Sequence, residues 1–554
     1  MKGNMSKLGL TTNMLISHAE INHSQTEVIS VDVKGNVEKS TWKKIGKNAR
    51  KIASALVKLG LKKGDRLGTI SPNNKEHLEL IYAISGFGGI THTINPRLFP
   101  DEIVYIVNHA EDKILFVDTS YIAILIGHQH LFETVEHVYL VGPKKNEVAA
   151  KMNGFKFLND LVEDGDENYS WPELNENDAA VLCYTSGTTG NPKGVLYSHK
   201  SIVIHANIVS LPDNFNLSAR DCLLLVTPMF HVNAWGVTYA SAMVGSKLVL
   251  PGPNLDGKSI VSLINNENIT MSFAIPTIWE EVLEELDRNG EKLDNLDRIL
   301  SGGTTVPEWI IKKFKNDYGV HLIHAWGMTE TSPLGTANSP LRTQDNLSDN
   351  QKIEKMYSAG RPNWSVQIKI VDENGKELPR DGESEGDLLV KGPTVIDKYL
   401  HDKKSSLDKD GWFKTGDVGK IDSEGYLEIT DRSKDLIKSG GEWISSLELE
   451  EIVRNHEKIH DAAVIGVEHK KWNERPLVVA EAVKGANPKE KEILNFFKDK
   501  IAKWQIPDAV VFVDELPLSS TGKPIKRDLR IRFRNYLTDE KLSLIHISEP
   551  TRLS

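Results

Sequence analysis

The residues best suited to chemistry lie in one run, YTSGTTGNPKG at 184–194. It holds five hydroxyl-bearing side chains, three glycines and one lysine, directly after the apolar run AAVLC at 179–183. Glycines let the backbone approach a ligand closely, and exposed N–H groups, hydroxyls and an ammonium together bind anions. Such a composition is also typical of a surface turn, but the apolar run predicts a buried strand that delivers the loop. The run therefore predicts a phosphate-binding loop, with a spacing that differs from the Walker motif.

Seven further motifs follow this loop in order along the chain. They are PMFHVNAW (228–235), SGGTTVP (301–307), AWGMTET (325–331), GDLLVKG (386–392), WFKTGD (412–417), DRSKDLIKSGGEWIS (431–445) and PLSSTGKPIK (517–526). The ordered set resembles the AMP-forming adenylating enzymes, which include acyl-CoA synthetases, peptide-synthetase adenylation domains and firefly luciferase. The resemblance covers residues 15–540. It is strongest to medium- and long-chain fatty-acyl-CoA synthetases and to methylmercaptopropionate–CoA ligases.

Composition is that of a soluble globular protein, with 39% hydrophobic and 26% charged residues among 554. A net charge of −10 argues against a nucleic-acid binder, because polyphosphate backbones need a basic surface. Cys183 and Cys222 lie in apolar stretches and offer no disulfide framework or metal cluster, which suits a reducing cytoplasm. The sequence has no apolar run of transmembrane length and no secretory signal pattern. We therefore expect a cytoplasmic protein without a transmembrane segment.

The first 180 residues alternate helical and strand-like segments. A helix is predicted over 41–60, and its apolar residues at helical spacing are Ile45, Ala49, Ile52, Leu56 and Leu59. A second helix is predicted over 76–92. Strands are predicted over 64–73 (with a turn), 113–118 and 137–141. This alternation implies a layered α/β architecture with parallel strands.

The C-terminal part follows a polar joint, DRSKD at 431–435. Ser445 and Glu448 then form a capping-box pattern ahead of an amphipathic helix. The pattern beyond it predicts a small α+β domain with strands at 461–467, 477–483 and 509–513 and a charged helix at 488–503. With the resemblance, the predicted domains are an N-terminal adenylating domain at 1–431, a hinge at 432–436 and a mobile C-terminal lid at 437–541.

The last segment, 542–554, is set apart from the fold. LSLIHISEPTR at 542–552 matches the translation of a sequencing-library adapter, so we interpret 542–554 as an assembly artefact. An ordinary tail is the alternative. Sequencing the 3′ end of the gene from independent DNA distinguishes the two.

Adenylation activates an acid by attack of its carboxylate on the α-phosphorus of ATP, which releases pyrophosphate. Because two anions must meet, the site needs cations and oriented hydrogen-bond donors. By its place in the family motif WGMTE, the resemblance implies that Glu330, with Thr185, holds Mg²⁺, a hard ion that prefers oxygen ligands. The resemblance implies that the β- and γ-phosphates are bound by Ser186, Gly187, Thr188, Thr189, Gly190 and Lys193.

Nucleotide recognition is assigned by the same resemblance. Trp326 matches the aromatic position that packs against adenine, and Gly327 and Thr329 belong to the same nucleotide-binding set. Asp417 matches the acid that accepts hydrogen bonds from both ribose hydroxyls, a role for which a carboxylate is suited. From the TGD sequence alone, Asp417 could equally cap a turn. Arg432 matches a second contact to the ribose or a phosphate.

The resemblance implies three further roles in the C-terminal part. Lys523, in STGKPIK, matches the catalytic lysine whose ammonium bridges the incoming carboxylate and the α-phosphate. Lys434 matches the hinge about which the lid rotates between the two half-reactions. After that rotation, a tunnel for coenzyme A would be lined by Lys438, Gly440, Gly441, Glu442 and Trp443.

The acyl site is assigned from PMFHVNAW and SGGTTVP. By the resemblance, His231 lies beside the substrate carboxylate and Trp235 gates the acyl tunnel. Thr304 and Thr305 depart from the alanine or proline commoner at these positions, which indicates a narrower or more polar pocket. The residues expected to line that pocket are Gly302, Gly303 and Thr304.

The predicted function is that of an AMP-forming acyl-CoA synthetase acting on a medium- to long-chain fatty acid through an acyl-adenylate. Its expected substrates and cofactors are a small carboxylic acid, ATP, Mg²⁺ and coenzyme A, and its catalytic residues are Lys523, His231 and Glu330. A 3-methylmercaptopropionate–CoA ligase is an alternative, because ligases of that kind share this motif set, including FHVNAW and SGGEW. The two substrate classes are expected to overlap, because discrimination of one methylene is worth only about 1–3 kcal/mol. A stand-alone acyl-AMP ligase that loads a carrier protein is another. Related synthetases imply a homodimer.

Overall fold

A computed structural model of the chain describes residues 3–143, 155–185, 191–304, 306–432, 435–439, 442–469, 471–498, 500–518 and 523–538. The chain divides into two units. The first takes the chain through Ile368, together with Val390–Phe413 and Glu424–Leu427. The second takes Lys369–Leu389, Lys414–Ser423 and the chain from Glu428 onward. The predicted lid boundaries stay a prediction, because this division does not test which part rotates.

The elements are given in chain order. Up to residue 209 they are α1 (Thr12–Asn22), β1 (Glu27–Val31), β2 (Val37–Thr41), α2 (Trp42–Lys58), β3 (Arg66–Ile70), α3 (Lys75–Phe87), β4 (Ile90–Thr93), α4 (Pro100–Ala110), β5 (Asp112–Asp118), β6 (His137–Val141), β7 (Lys156–Phe157), α5 (Leu158–Asp164), β8 (Ala179–Tyr184), β9 (Gly194–Ser198) and α6 (His199–Val209).

From 222 to 362 they are β10 (Cys222–Leu224), the short turn α7 (Val232–Trp235), α8 (Val237–Val244), β11 (Lys247–Leu250), α9 (Gly257–Asn266), β12 (Met271–Ala274), α10 (Pro276–Asn289), β13 (Arg298–Gly302), α11 (Glu308–Tyr318), β14 (His321–Gly327), β15 (Leu334–Ala337), α12 (Asp349–Met356) and β16 (Arg361–Pro362). The remaining elements are β17 (Gln367–Val371), β18 (Gly386–Lys391), β19 (Phe413–Ile421), β20 (Leu427–Arg432), β21 (Ile437–Ser439), β22 (Glu442–Ile444), α13 (Ser446–Arg454), β23 (Ile459–His469), β24 (Asn473–Ala482), α14 (Glu490–Phe496), β25 (Ala509–Val513) and α15 (Lys526–Phe533).

The first unit contains a seven-stranded sheet in the order β7-β6-β5-β3-β4-β8-β9. All of its strand pairs are parallel except β8 with β9. Helix α2 begins where Thr41 accepts a hydrogen bond from the backbone N–H of Lys44. Four of the five residues on its predicted apolar face are buried, and Leu59, which follows the helix end, is 40% exposed. The parallel α/β pattern predicted for this part is confirmed.

The first unit also contains a nine-stranded sheet in the order β16-β15-β14-β13-β12-β10-β11-β1-β2. Strands β12, β13 and β14 pair in parallel, and Gly302 at the end of β13 lies opposite Ala325 in β14. Trp279 and Phe314 pack edge to face in the hydrophobic core beside this sheet. Open α/β sheets bind ligands outside the carboxyl ends of their strands. This edge carries two of the predicted site segments, those that follow β13 and β14.

The second unit takes most of a four-stranded sheet, β17-β18-β19-β20, and a five-stranded sheet in which β22-β21-β24-β23 follow one another and β25 pairs with β24. Helix α13 starts at Ser445, whose hydroxyl accepts a hydrogen bond from the N–H of Glu448, as the capping pattern predicted. The helix packs Leu449 and Val453 into a core with strands β23 and β24. The predicted strands of this part are all present.

Two predicted helices differ from the structure, and one observed helix was not predicted. Helix α3 ends at Phe87 instead of 92, because Gly88 turns left-handed (φ 97°) and the apolar residues beyond it form β4. Helix α14 spans only Glu490–Phe496, although a helix was predicted over 488–503. The residues at 497, 498 and 500 form turns. Helix α15 was not predicted, because its buried pattern consists of only Leu529 and Phe533.

Both cysteines are buried free thiols, as predicted. Burial raises the pKa of Cys183 to about 11, so its thiol stays neutral. Within the described ranges, the structure contains no helix that combines the length and the apolar character needed to cross a bilayer.

Candidate active site

The predicted phosphate loop is closed at its base by the backbone. Strand β8 ends at Tyr184, and the N–H of Thr185 donates to the carbonyl of Lys193 at 2.9 Å. The Tyr184 hydroxyl lies 2.7 Å from Nδ1 of His109, which anchors the entry to the loop through a side chain. Lys193 is exposed at the exit. The predicted phosphate contacts Ser186, Gly187, Thr188, Thr189 and Gly190 lie outside the described residues.

The predicted metal ligand Glu330 lies just past the carboxyl end of β14, in a short 3-10 turn. Only 8% of it is exposed. The Tyr399 hydroxyl donates to Oε1 of Glu330 at 2.8 Å, and the N–H of Ile396 donates to the Glu330 carbonyl at 2.9 Å. The Lys193 ammonium lies 4.8 Å from the centroid of the Tyr399 ring. Glu330 and Lys193, which are far apart in sequence, therefore contact the same tyrosine.

Tyr399 was missed by the sequence analysis. It follows the GDLLVKG motif by seven residues, and a single tyrosine in a polar segment carries no pattern that indicates chemistry. Only the tertiary structure brings it to Glu330 and Lys193.

The predicted adenine contact, Trp326, is largely buried at the end of β14. Its indole packs on Gly335 in the neighbouring strand β15, where any side chain would overlap the ring. Gly327 is exposed, and a Cβ there would overlap the carbonyl of Pro333. The carbonyl of Thr329 accepts a hydrogen bond from the Tyr197 hydroxyl at 2.6 Å. The segment is thus held by close packing against residues 333–335 and by the hydrogen bond from Tyr197.

The predicted acyl-pocket residues meet at the end of β13. A Cβ added to Gly302 would lie 2.5 Å from the carbonyl oxygen of Ala325 and 3.6 Å from Cη2 of Trp235. The indole of Trp235 therefore lies against a strand position that must be glycine. Gly303 (φ 84°) and Thr304 follow and are exposed. The structure brings Trp235 and Gly302 together, in keeping with a shared pocket wall.

Trp235 is carried by a left-handed turn. Val232, Asn233, Ala234 and Trp235 all have φ between 50° and 53°, a conformation that costs L-residues roughly 1–2 kcal/mol each. The amide of Ala234 donates to the Pro228 carbonyl at 3.2 Å, and the Asn233 side chain donates to the Met229 carbonyl at 3.3 Å. Strain of this kind persists where packing over-determines it, often at functional sites. The apolar run in the sequence gave no sign of this turn.

His231 precedes the turn in an extended conformation and is half-buried. Its N–H donates to the Pro228 carbonyl at 3.0 Å. The turn ends at Gly236, where a side chain would overlap the buried ring of His205. The two residues predicted to face the substrate therefore lie at the two ends of the left-handed turn, with His231 just before it and Trp235 as its last residue.

The predicted ribose and catalytic residues form a charged group in the second unit. Oδ1 of Asp417 lies 3.5 Å from Nε of Arg432. The pKa of Lys523 is lowered to about 8, chiefly by burial and then by the positive charge of Arg432, against the opposing attraction of Asp417. The N–H of Asp417 donates to the Thr415 hydroxyl at 3.0 Å. Three predicted residues from distant parts of the sequence thus interact electrostatically.

The predicted hinge and coenzyme A residues are described only in part. Lys434, Gly440 and Gly441 lie outside the described residues. Lys438 is exposed on β21, and its N–H donates to the Glu474 carboxylate at 3.1 Å. In the β21–β22 hairpin, the backbone of Lys438 is opposite that of Trp443, and Ser439 is opposite Glu442.

Two protein-family models match the chain. The model of the AMP-binding enzyme family matches residues 17–400, and the model of the AMP-binding enzyme C-terminal domain matches residues 448–523. The chain belongs to the AMP-binding enzyme family. The predicted family, the adenylating fold and the reaction class, an AMP-forming acid–thiol ligase, are confirmed. This class implies ATP and coenzyme A as substrates.

Individual proteins resemble the chain over nearly its full length. The 3-methylmercaptopropionyl-CoA ligase of Ruegeria lacuscaerulensis is 49% identical, over 97% of this chain and 100% of that protein. The medium-chain-fatty-acid–CoA ligase of Ectopseudomonas oleovorans is 48% identical, over 97% of this chain and 98% of that protein. The crystal structure of ATP-bound MatB from Rhodopseudomonas palustris has a TM-score of 0.81 at 26% identity, covering 95% of this chain and 100% of that one.

The lowered pKa of Lys523 predicts a pH dependence. If adenylation needs the ammonium, kcat/KM for pyrophosphate exchange falls as pH rises through about 8, because the group loses its proton there. An ordinary lysine would keep its charge to about pH 10, and kcat/KM reports the free enzyme. Lys523→Arg retains a cation and should move this fall of kcat/KM to higher pH. Profiles of the two proteins that coincide above pH 8 would contradict the role.

The contact between Trp235 and Gly302 predicts a change in acid preference. Removing the indole in Trp235→Ala takes away part of the pocket wall, so we expect relative kcat/KM to shift toward longer or bulkier acids by about tenfold or more. Trp364→Ala, which removes a tryptophan that is 65% exposed in the same unit, is the control. A chain-length profile of Trp235→Ala that coincides with that of Trp364→Ala would show that the indole does not bound the acyl site.

Proposed function

We propose that this protein is an AMP-forming acyl-CoA synthetase whose acid is a medium- to long-chain fatty acid. One observation carries the adenylation site: the lysine of the predicted phosphate loop and the predicted metal-binding glutamate both contact Tyr399. A cation and a carboxylate held a short distance from one aromatic ring provide opposite charges for a triphosphate and its metal ion. The ordered motifs support the remaining assignments.

The oxygen ligands offered by Thr185 and Glu330 suit Mg²⁺. Magnesium is usually held by one or two carboxylates, with water and substrate phosphates completing its octahedral shell. A single buried carboxylate beside the phosphate loop fits that requirement. When bound, Mg²⁺ would neutralise part of the phosphate charge. The chain's own contribution is to hold the Glu330 carboxylate and the loop in place.

The reaction has two steps. The substrate carboxylate attacks the α-phosphorus of ATP, the bond to the β-phosphate oxygen breaks, and pyrophosphate leaves with the bonding electrons. Lys193 and the loop stabilise the leaving pyrophosphate, and the Lys523 ammonium stabilises the charge shared by the carboxylate and the α-phosphate. In the second step the thiol of coenzyme A attacks the acyl carbonyl, and AMP leaves.

The remaining assignments belong to the same proposal. Asp417 and Arg432 bind the ribose and a phosphate, Trp326, Gly327 and Thr329 bind the adenine side of the nucleotide, and His231 contacts the acid's carboxylate. Rotation of residues 437–541 about Lys434 brings the coenzyme A segment (438–443) into use. We propose a homodimer by analogy with related synthetases, and a cytoplasmic location because the free thiols Cys183 and Cys222 suit a reducing compartment.

A 3-methylmercaptopropionate–CoA ligase is the second candidate. The chain is 49% identical to the 3-methylmercaptopropionyl-CoA ligase and 48% identical to the medium-chain ligase, so sequence identity favours the second candidate as much as the first. The exposed Thr304 beside Gly303 adds polarity to the predicted acyl wall, which suits a short thioether acid as well as a fatty acid.

An acid panel separates the two candidates. We expect CoA-dependent AMP release with octanoate to exceed that with butyrate and with 3-methylmercaptopropionate, because each buried methylene adds about 0.8 kcal/mol. Palmitate tests the upper limit of the pocket. A maximum at 3-methylmercaptopropionate would establish the second candidate instead. AMP release that does not respond to coenzyme A would favour a carrier-loading acyl-AMP ligase.

Lys523→Ala separates the half-reactions. We expect it to reduce acyl-adenylate formation by about 100-fold or more, because a charge that acts in the transition state is lost. Thioester formation from supplied acyl-AMP should change by less than about threefold, since that step does not use this ammonium. Both rates are measured on the same preparation. An equal loss in the two half-reactions would contradict the assigned role.

A further inference from the structure

A six-residue segment, 396–401, connects the parts of the adenylation site in the first unit; we call it the strap. At one end the N–H of Ile396 donates to the carbonyl of Glu330 at 2.9 Å. At the other end Nε2 of His401 lies 2.9 Å from the carbonyl of His109, the residue that holds Tyr184. Between them the N–H of Leu400 donates to the carbonyl of Gly194 at 2.8 Å. The strap thus contacts the glutamate turn and the exit of the phosphate loop directly, and it reaches the entry of the loop through His109.

Tyr399 is the strap residue whose side chain reaches two predicted phosphate-site groups. Its hydroxyl donates to Oε1 of Glu330 at 2.8 Å. Rotation about the last side-chain torsion of a glutamate is only weakly restricted. A hydrogen bond to one carboxylate oxygen limits this rotation. This bond holds the plane of the Glu330 carboxylate in one orientation.

The chemistry of the pair keeps Tyr399 a donor. The Tyr399 hydroxyl lies 2.8 Å from Oε1 of Glu330, and a carboxylate oxygen accepts hydrogen bonds. Carboxylate oxygens are also the ligands that a hard cation such as Mg²⁺ prefers.

The ring of Tyr399 acts on the loop. The Lys193 ammonium lies 4.8 Å from the ring centroid, within the distance at which a cation is attracted to an aromatic face. Gly194, the next residue, is held by the strap backbone through Leu400. The exit of the loop is therefore attached to the strap by one backbone and one side-chain contact.

We infer that Tyr399 is a positioning residue for adenylation: its hydroxyl orients Glu330 for the metal ion, and its ring orients Lys193 for the triphosphate. This inference rests on the proposed function. Tyr399 touches neither substrate nor metal in this scheme and acts only through the two groups it contacts. Its two functions are separable, because phenylalanine keeps the ring and removes the hydroxyl.

The test compares Tyr399→Phe, Tyr399→Leu and a control, Tyr139→Phe. Tyr139 lies in β6, which β5, β3 and β4 separate from β8, and its ring stacks on Phe116. For Tyr399→Phe we expect the Mg²⁺ concentration that half-saturates pyrophosphate exchange to rise about tenfold, which corresponds to the loss of a hydrogen bond to a charged group. Exchange at saturating Mg²⁺ should recover to within about threefold.

Nucleotide binding without turnover gives an independent measurement. Calorimetry without an acid substrate measures ATP affinity with and without Mg²⁺. Without Mg²⁺, Tyr399→Phe should bind ATP with the wild-type affinity. The increase in ATP affinity that Mg²⁺ gives should be about tenfold smaller for Tyr399→Phe than for the wild type. Tyr399→Leu should in addition weaken Mg²⁺-free binding by about threefold, because the contact to Lys193 is lost. Thermal unfolding of all variants shows whether any change reflects stability alone.

A double-mutant cycle with Glu330→Gln decides whether the hydroxyl acts through Glu330. If it does, Tyr399→Phe changes Mg²⁺ dependence much less in the Glu330→Gln background than in the wild type. Equal effects in both backgrounds, or a Tyr399→Phe that matches Tyr139→Phe, would overturn the inference. Wild-type protein that exchanges no pyrophosphate with any acid would instead refute the proposed function, so the two failures are distinguishable.

Discussion

The reaction of this family brings two anions together, and that repulsion is the constraint on which the site depends. A carboxylate can approach the α-phosphorus of ATP only where cations and oriented donors already lie in place. In the first unit, backbone hydrogen bonds close the loop at Thr185 and fix the turn around Glu330. In the second unit, Asp417, Arg432 and Lys523 form a charged group in which burial lowers the pKa of the lysine. Asp417 lies in β19 and Arg432 in β20, so strands support both of these side chains.

The residues predicted to line the acyl site are held by steric constraints. Gly302 lies so close to the Ala325 carbonyl that a side chain would overlap it, and the Trp235 indole lies across the same position. Trp235 is presented by a left-handed turn that only surrounding packing can maintain. If Trp235 bounds the acyl site as predicted, this backbone holds its indole in a defined position. Substitutions near the turn are therefore expected to alter acid preference and stability together.

The motifs predicted more of the site than of the fold's details. Glycine spacing, the WGMTE glutamate and the TGD aspartate are short-range patterns, so the sequence indicated the adenylating class and its candidate residues. Tyr399 and the left-handed turn depend on contacts between segments distant in the chain, which no local pattern encodes. Helix α15 was missed for a related reason, since two buried residues are too few to show a period. The bounds of α3 depended on one left-handed glycine.

Exchange of labelled pyrophosphate into ATP, without coenzyme A, tests the central claim most directly. It reports the reversal of acyl-adenylate formation, the step to which the proposed function assigns the phosphate loop, Glu330 and Lys523. With Mg²⁺ and a medium-chain fatty acid, the label should enter ATP at a rate that depends on the acid. If no acid in a panel from butyrate to palmitate supports exchange by well-folded protein, the account is wrong.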